Sequence, residues 1–292
     1  MNKPYISGFT IVRNAIKYDY PIVESIKSIL PVVDEYVIAV GNSEDDTLGL
    51  INSIGSPKIK VIRTVWDDSL REGGRVLAEE TNKAFDAIGA QADWCFYLQG
   101  DEVVHEKYHD EILKACATYK YNKNVDGLLF KYEHFYGSYD YVGDSRTWYR
   151  KEIRIIKNDK AIRSYRDAQG FRKNGEKLNV KPINAEIYHY GWVKDPRFQQ
   201  AKQENFHKLW HDDNWVKEHV AEANQYDYSI IDSLQRFTGA HPAVMKQRLE
   251  RMNWDFNWDT SKKKFRLKEG LLYWFEKLTG KRLFEYRNYR QV

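Results

Sequence analysis

The sequence predicts an α/β fold, a sheet of largely parallel strands joined by crossover helices. Two observations carry this. Over the first hundred of 292 residues, short runs rich in Val, Ile, Phe and Tyr alternate with segments whose apolar residues recur at helical spacing. The composition, 42% hydrophobic and 15% aromatic, is that of a chain that buries a sizeable core rather than a disordered one.

Taken in order, Ile6 to Val12 reads as a strand. Asp19 is placed to cap a helix with Pro21 in its first turn, carrying Ile22, Val23, Ile26, Ile29 and Leu30 until Pro31 stops it. Tyr36 to Val40 is a buried strand ending in the polar loop Asn42-Ser43-Glu44-Asp45-Asp46-Thr47, rich in turn and cap formers. Ile59 to Val65 is the next strand. Leu77, Thr81, Ala84, Phe85 and Ile88 give the helix after Gly73-Gly74 one apolar face. Trp94 to Leu98 is a continuous apolar strand that ends abruptly at Gln99-Gly100-Asp101-Glu102. Beyond Tyr121 the alternation fades, and Gly127 to Tyr136, Glu152 to Asn158 and Ile183 to Tyr190 are further strands.

The longest apolar runs are about five residues, against the roughly twenty of a spanning helix. Met1-Asn2-Lys3-Pro4 enters the first strand without a secretion-signal pattern, and Cys95 and Cys116 sit in apolar stretches as buried thiols do. The expected compartment is the cytoplasm. The formal charge of +4 hides an asymmetry: residues 260–292 hold ten Lys/Arg against three Asp/Glu, so the rest is slightly acidic and offers no general nucleic-acid surface. Within this basic tail Leu271, Leu272, Trp274, Phe275 and Leu278 form an amphipathic helix closed by Gly280, either docked on its own domain or in peripheral contact with an anionic membrane.

In open α/β sheets ligands bind beyond the carboxyl ends of strands. Adjacent carboxylates there are costly unless neutralised, and a hard divalent ion bridging them to substrate phosphates does this. The alternative is that Asp101 caps the following helix and Glu102 is solvated. The order of elements favours the first reading. Phe9-Thr-Ile-Val-Arg-Asn14, the Asn42-to-Thr47 turn, the Asn82-Lys83-Ala84 helix and Tyr97-Leu98-Gln99-Gly100-Asp101-Glu102 together resemble the family-2 glycosyltransferases, with their Asp-x-Asp metal motif at the last of these. The resemblance covers most of residues 5 to 105, and more loosely reaches His189-Tyr190-Gly191-Trp192.

The resemblance implies a GT-A, Rossmann-like mixed sheet flanked by helices with a helical C-terminal extension. It divides the chain into a nucleotide-sugar half (1–125), an acceptor half (126–195) and the extension (196–292). It implies transfer of a sugar from a nucleotide-diphosphate donor to a saccharide or lipid-linked acceptor, inverting and dependent on Mn²⁺ or Mg²⁺. Val12, Arg13, Asn14, Asn42, Asp45, Arg71, Gln99 and Gly100 are the expected nucleotide contacts; Asp101, helped by Glu102 and His189, is the expected metal site. Two departures from the family's pattern stand out: Val40 and Gly41 replace an acidic pair of which one member contacts the base, and Gln99 replaces the first acid of the metal motif.

Such a transfer needs a base for the acceptor hydroxyl. Glu133, Asp144 and Asp167 are the candidates, with Asp167 favoured because Arg166-Asp167-Ala168-Gln169-Gly170 joins one acid to an amide and a glycine; its flanking arginines are expected to hold its pKa low. Ten Lys/Arg between Arg146 and Lys173 are candidates for binding diphosphate or an anionic acceptor. Trp192, Trp254 and Trp258 are the aromatic candidates for an acceptor groove. His207 and His211 lack the partners of a zinc motif. The rival readings are a nucleotidyltransferase, which would also place acids beyond a strand, and a non-catalytic carbohydrate- or polyanion-binding protein.

Overall fold

A computed structural model of the chain describes residues 3–70, 72–208, 210, 213–219 and 223–292. The first strands are β1 (Ile6–Val12), β2 (Glu35–Gly41), β3 (Ile59–Thr64) and β4 (Trp94–Tyr97), connected through helices α1 (Ile22–Ile29), α2 (Thr47–Asn52) and α3 (Arg75–Asp86). β1 is parallel to both β2 and β4, and β3 extends the parallel set beyond β2. A short strand, β5 (Glu102–Val104), and helix α4 (His109–Tyr119) lead into β6 (Gly127–Tyr136), β7 (Ser138–Gly143) and β8 (Lys151–Lys157). β8 inserts antiparallel between β4 and β6, so one mixed sheet runs through both halves of the chain. A small separate sheet holds β9 (Ile162–Tyr165), β10 (Gly170–Lys173) and β11 (Glu176–Lys177). β12 (Asn179–Trp192) then returns along β6 and also pairs with β5. The C-terminal region comprises α5 (Pro196–Lys208), α6 (Asp213–His219), β13 (Leu234–Arg236), α7 (Lys246–Glu250), α8 (Leu267–Thr279) and β14 (Arg290–Gln291).

Alternation along the strands sorts the core into two layers. Trp94, Phe96 and Leu98 pack with Ile22, Ile26 and Ile29 of α1 and Ile112 and Cys116 of α4. Cys95 and Tyr97 pack on the other face with Phe9 and with Ala84 and Phe85 of α3. The α1 isoleucines are fully buried, and each such side chain contributes about 1.5–3 kcal/mol. The cap of α1 differs from expectation: Pro21 holds that position without a side-chain cap, while Asp19, at φ 46°, pairs with Arg248 at 2.9 Å. Asp46 does cap α2, its Oδ1 accepting from Gly49 N at 3.0 Å.

Candidate functional site

A cavity of about 460 Å³ opens beyond the carboxyl ends of β1 and β4. It gathers nine sequence-derived candidates, Val12, Arg13, Asn14, Gln99, Gly100, Asp101, Asp167, His189 and Trp192, although they come from both halves of the chain. Topology does this: β5 starts directly after Asp101 and pairs antiparallel with β12, which sets Glu102 opposite His189. Tyr190 N donates to Asp101 O at 2.8 Å and locks the register. A Cβ at Gly191 would lie 2.6 Å from His189 Nε2 and 2.7 Å from Asp101 Oδ2, so only glycine leaves room for this convergence.

The protonation pattern of the two histidines follows from their partners. His134, on β6, places Nε2 2.8 Å from the Tyr149 carbonyl, which can only accept, so Nε2 carries the proton. Burial lowers the His134 pKa far below its ordinary value, which keeps the ring neutral and Nδ1 bare. His189 Nδ1, 3.1 Å away, is therefore the donor, and His189 Nε2 keeps its lone pair. That lone pair faces Asp101 Oδ1 at 3.7 Å. Burial lowers the His189 pKa too, although Asp101 opposes it. Two acceptors thus point at one another, an arrangement a cation relieves.

On its other oxygen Asp101 meets Lys202 of α5, whose Nζ donates to Oδ2 at 3.0 Å and to Gly191 O at 2.9 Å. Burial pushes the Asp101 carboxyl up, but the adjoining Lys202 ammonium outweighs it and holds the group well below the usual carboxylate range. Among the described residues no third His, Cys, Asp or Glu joins the Asp101–His189 pair. One carboxylate and one imidazole, with the remaining positions left to phosphate oxygens and water, still suit Mn²⁺ or Mg²⁺.

Glu102 requires a correction. It is fully buried below the cavity, with Arg154 Nη2 at 2.7 Å and Nε at 2.8 Å, and it accepts from Tyr132 Oη at 2.7 Å and Gln99 N at 3.0 Å. Its oxygens are committed to the interior and none faces the cavity. Asn42 and Asp45 are not cavity-lining either. Asn42 Oδ1 accepts from Trp66 N at 3.1 Å, and Asp45 accepts from Lys17 N at 2.7 Å and Thr47 N at 3.0 Å, so both shape the loop. Arg71 lies outside the described residues, as does His211. His207 lines the cavity.

The candidate bases separate cleanly. Asp167 faces the cavity between Arg166 and Ala168, two non-glycine residues at φ 55° and 60°; such strain persists only where the surroundings enforce it. Its pKa is raised, the reverse of the expectation, because burial outweighs Arg166 and Arg154. Gln99 Nε2 reaches Ala168 O at 3.5 Å and ties this loop to the end of β4. Asp144 instead receives Lys263 Nζ at 2.8 Å and Tyr273 Oη at 2.6 Å, a clamp for the C-terminal segment. Glu133 falls on the face of β6 opposite His134, where burial and Glu186 push its pKa up to about 7.

The basic run from Arg146 to Lys173 is also structural. None of its ten cations lines the cavity; Arg146 and Arg150 pair with Glu276 and Glu285, and Arg154 with Glu102. Of the tryptophans, Trp192 lines the cavity, whereas Trp254 donates Nε1 to Gly137 O at 2.7 Å and packs, half-buried, against the core. Sequence reasoning missed Trp66, on which Arg13 stacks at 5.6 Å. The indole lies against Gly41, where a Cβ would sit 2.4 Å from its Nε1, so an acid cannot occupy that position without displacing it. His134 and Lys202 were missed as well.

No family model matches the chain, and no curated protein matches it by sequence. Among solved structures, S. aureus TarS 1–349 in complex with UDP is 14% identical with a TM-score of 0.39, over 75% of this chain and 67% of that one. Glucosyl-3-phosphoglycerate synthase of Mycobacterium tuberculosis, in complex with Mn²⁺, UDP and phosphoglyceric acid, is 18% identical with a TM-score of 0.31, over 45% of this chain and 43% of that one. The 4-diphosphocytidyl-2C-methyl-D-erythritol synthase of Anaerococcus prevotii is 11% identical with a TM-score of 0.33, over 53% and 71%. This chain covers 39% of the longer S. aureus TarS structure.

Proposed function

We propose that the chain is a glycosyltransferase that moves a sugar from a nucleoside-diphosphate donor to a saccharide or lipid-linked acceptor. The observation that carries this reading is the convergence of Asp101, His189 and Asp167 in one cavity at the strand ends. Residues 1–125 serve as the donor half, 126–195 as the acceptor half, and 196–292 as an extension that contributes Lys202. Trp66, Arg13 and Val12 offer an apolar and stacking wall for the base. Lys202 places an ammonium where a diphosphate is attracted, and Asp101 with His189 would hold Mn²⁺ or Mg²⁺. When bound, that ion supplies charge neutralisation to the departing diphosphate.

In an inverting transfer the acceptor oxygen forms its bond to the anomeric carbon as the bond to the phosphate oxygen breaks. The acceptor proton passes to Asp167, whose burial strengthens it as a base. Trp192 and Tyr149 line the cavity with rings on which a sugar packs. The test incubates the protein with a panel of nucleotide sugars and Mn²⁺ and analyses the nucleotide released. A nucleoside diphosphate supports the proposal. Turnover of nucleoside triphosphates with release of pyrophosphate instead would replace it with nucleotidyl transfer.

A further inference from the structure

Helix α8 leaves most of its large apolar residues in solvent. Tyr273 is buried and donates to Asp144 Oδ2 at 2.6 Å, Lys277 pairs with the same carboxylate, and Glu276 accepts from Arg146 at 2.8 Å and Arg282 at 2.9 Å. The side tied to the domain thus holds Tyr273, Glu276 and Lys277, while Lys268, Glu269 and Thr279 stay exposed. The opposite face carries Leu267, Leu271, Trp274 and Leu278, spaced four, three and four residues apart and therefore in a single stripe. They are 87%, 67%, 56% and 84% exposed. An apolar stripe left outward on a helix that is anchored through Tyr273, Glu276 and Lys277 marks an interaction surface.

The surroundings of the stripe say what covers it. Arg266 and Lys268 at its start, Lys281 past its end, and Lys262 and Lys264 on the approach are all exposed. Residues 260–292 carry ten Lys/Arg against three Asp/Glu, and two of the three acids, Glu276 and Glu285, are already paired with arginines. The turn after Gly280 adds Phe284 and Tyr286, 88% and 75% exposed, and Phe284 sits at φ 57°, a conformation an aromatic residue rarely adopts. Leucines and a tryptophan flanked by lysines match the boundary of an anionic bilayer, where apolar side chains enter the acyl region and cations meet headgroups. A second copy of the chain would instead bring one basic segment against another.

We infer that α8 and the turn after it form a peripheral docking surface for anionic lipid headgroups. The inference is independent of the glycosyl-transfer reading. The test is co-sedimentation of the whole chain with vesicles of phosphatidylcholine alone or containing about 30% phosphatidylglycerol, at low and high salt. Binding is expected only to the anionic vesicles, weakening as salt rises. The Leu271→Ser/Trp274→Ser variant and the Lys268→Glu/Lys281→Glu variant should each bind about tenfold more weakly. Because all four residues are exposed, both variants should melt as the parent does; if the first fails to fold, the charge reversal alone decides. Absence of binding to anionic vesicles, binding unchanged in the charge-reversal variant, or a dimer in light scattering that Leu271→Ser/Trp274→Ser dissolves would each overturn the inference.

Discussion

Asp101 and Glu102 are adjacent, both buried and both paired with a cation, yet they belong to different regions of the molecule. Asp101 stands on the cavity wall, with Lys202 on one oxygen and the lone pair of His189 facing the other. Glu102 lies beneath, with four hydrogen bonds and Arg154, itself fully buried, closed over it. A carboxylate beyond a strand end becomes a ligand-binding group only when some of its hydrogen-bonding capacity is left open. A saturated one is architecture.

Predictions follow that contrast downward in size. Glu102→Ala leaves the Arg154 guanidinium buried and uncompensated, and chemical denaturation should show a loss of about 3–5 kcal/mol. Asp101→Asn should cost less stability than that, because Lys202 belongs to a helix at the cavity rim, while turnover falls about 10²–10³-fold; equal stability losses in the two variants would erase the distinction. Asp167→Asn should lower turnover about 10²-fold and leave nucleotide affinity in place, since Asp167 is assigned to the acceptor proton.

The smallest effect is a pH dependence. Glu133 has its folded pKa raised to about 7, so its contribution to stability is complete below the unfolded value and is lost as pH rises through about 7. Asp101 is depressed, so its contribution is present above the unfolded value and is lost only as pH falls toward its folded one. Glu133→Gln should therefore raise the melting temperature at pH 8 and change it little at pH 4; the opposite order would place Glu133 in a charge-stabilised setting like that of Asp101.

The parallel half of the fold was legible because each of its strands and helices carries its own periodicity, and β1 and β6 match the expected ranges, Ile6–Val12 and Gly127–Tyr136. The three-residue β5 carries no such signal, yet its pairing with β12 is what builds the site. Asp101, His189 and Asp167 were readable as polar residues at or near strand ends. That Glu102 differs from Asp101 was not readable, because the difference is made by Arg154 on β8, whose charge in sequence looks like one of many in a solvated run. His134 and Lys202 were equally hidden: their contacts join residues 55 and 101 positions apart. Tyr132 and His134 share one face of β6 by alternation, but only the register with β12 sets His134 beside His189.

In the proposed reaction Asp101, rather than its neighbour, faces a nucleoside diphosphate. A thermal-shift titration with nucleoside diphosphates and Mn²⁺, run on the parent protein and on Asp101→Asn, tests it directly. At least one diphosphate is expected to raise the parent's melting temperature, and Asp101→Asn to abolish most of that rise while remaining folded. A parent protein that no diphosphate stabilises, or an Asp101→Asn protein stabilised just as strongly, would contradict it.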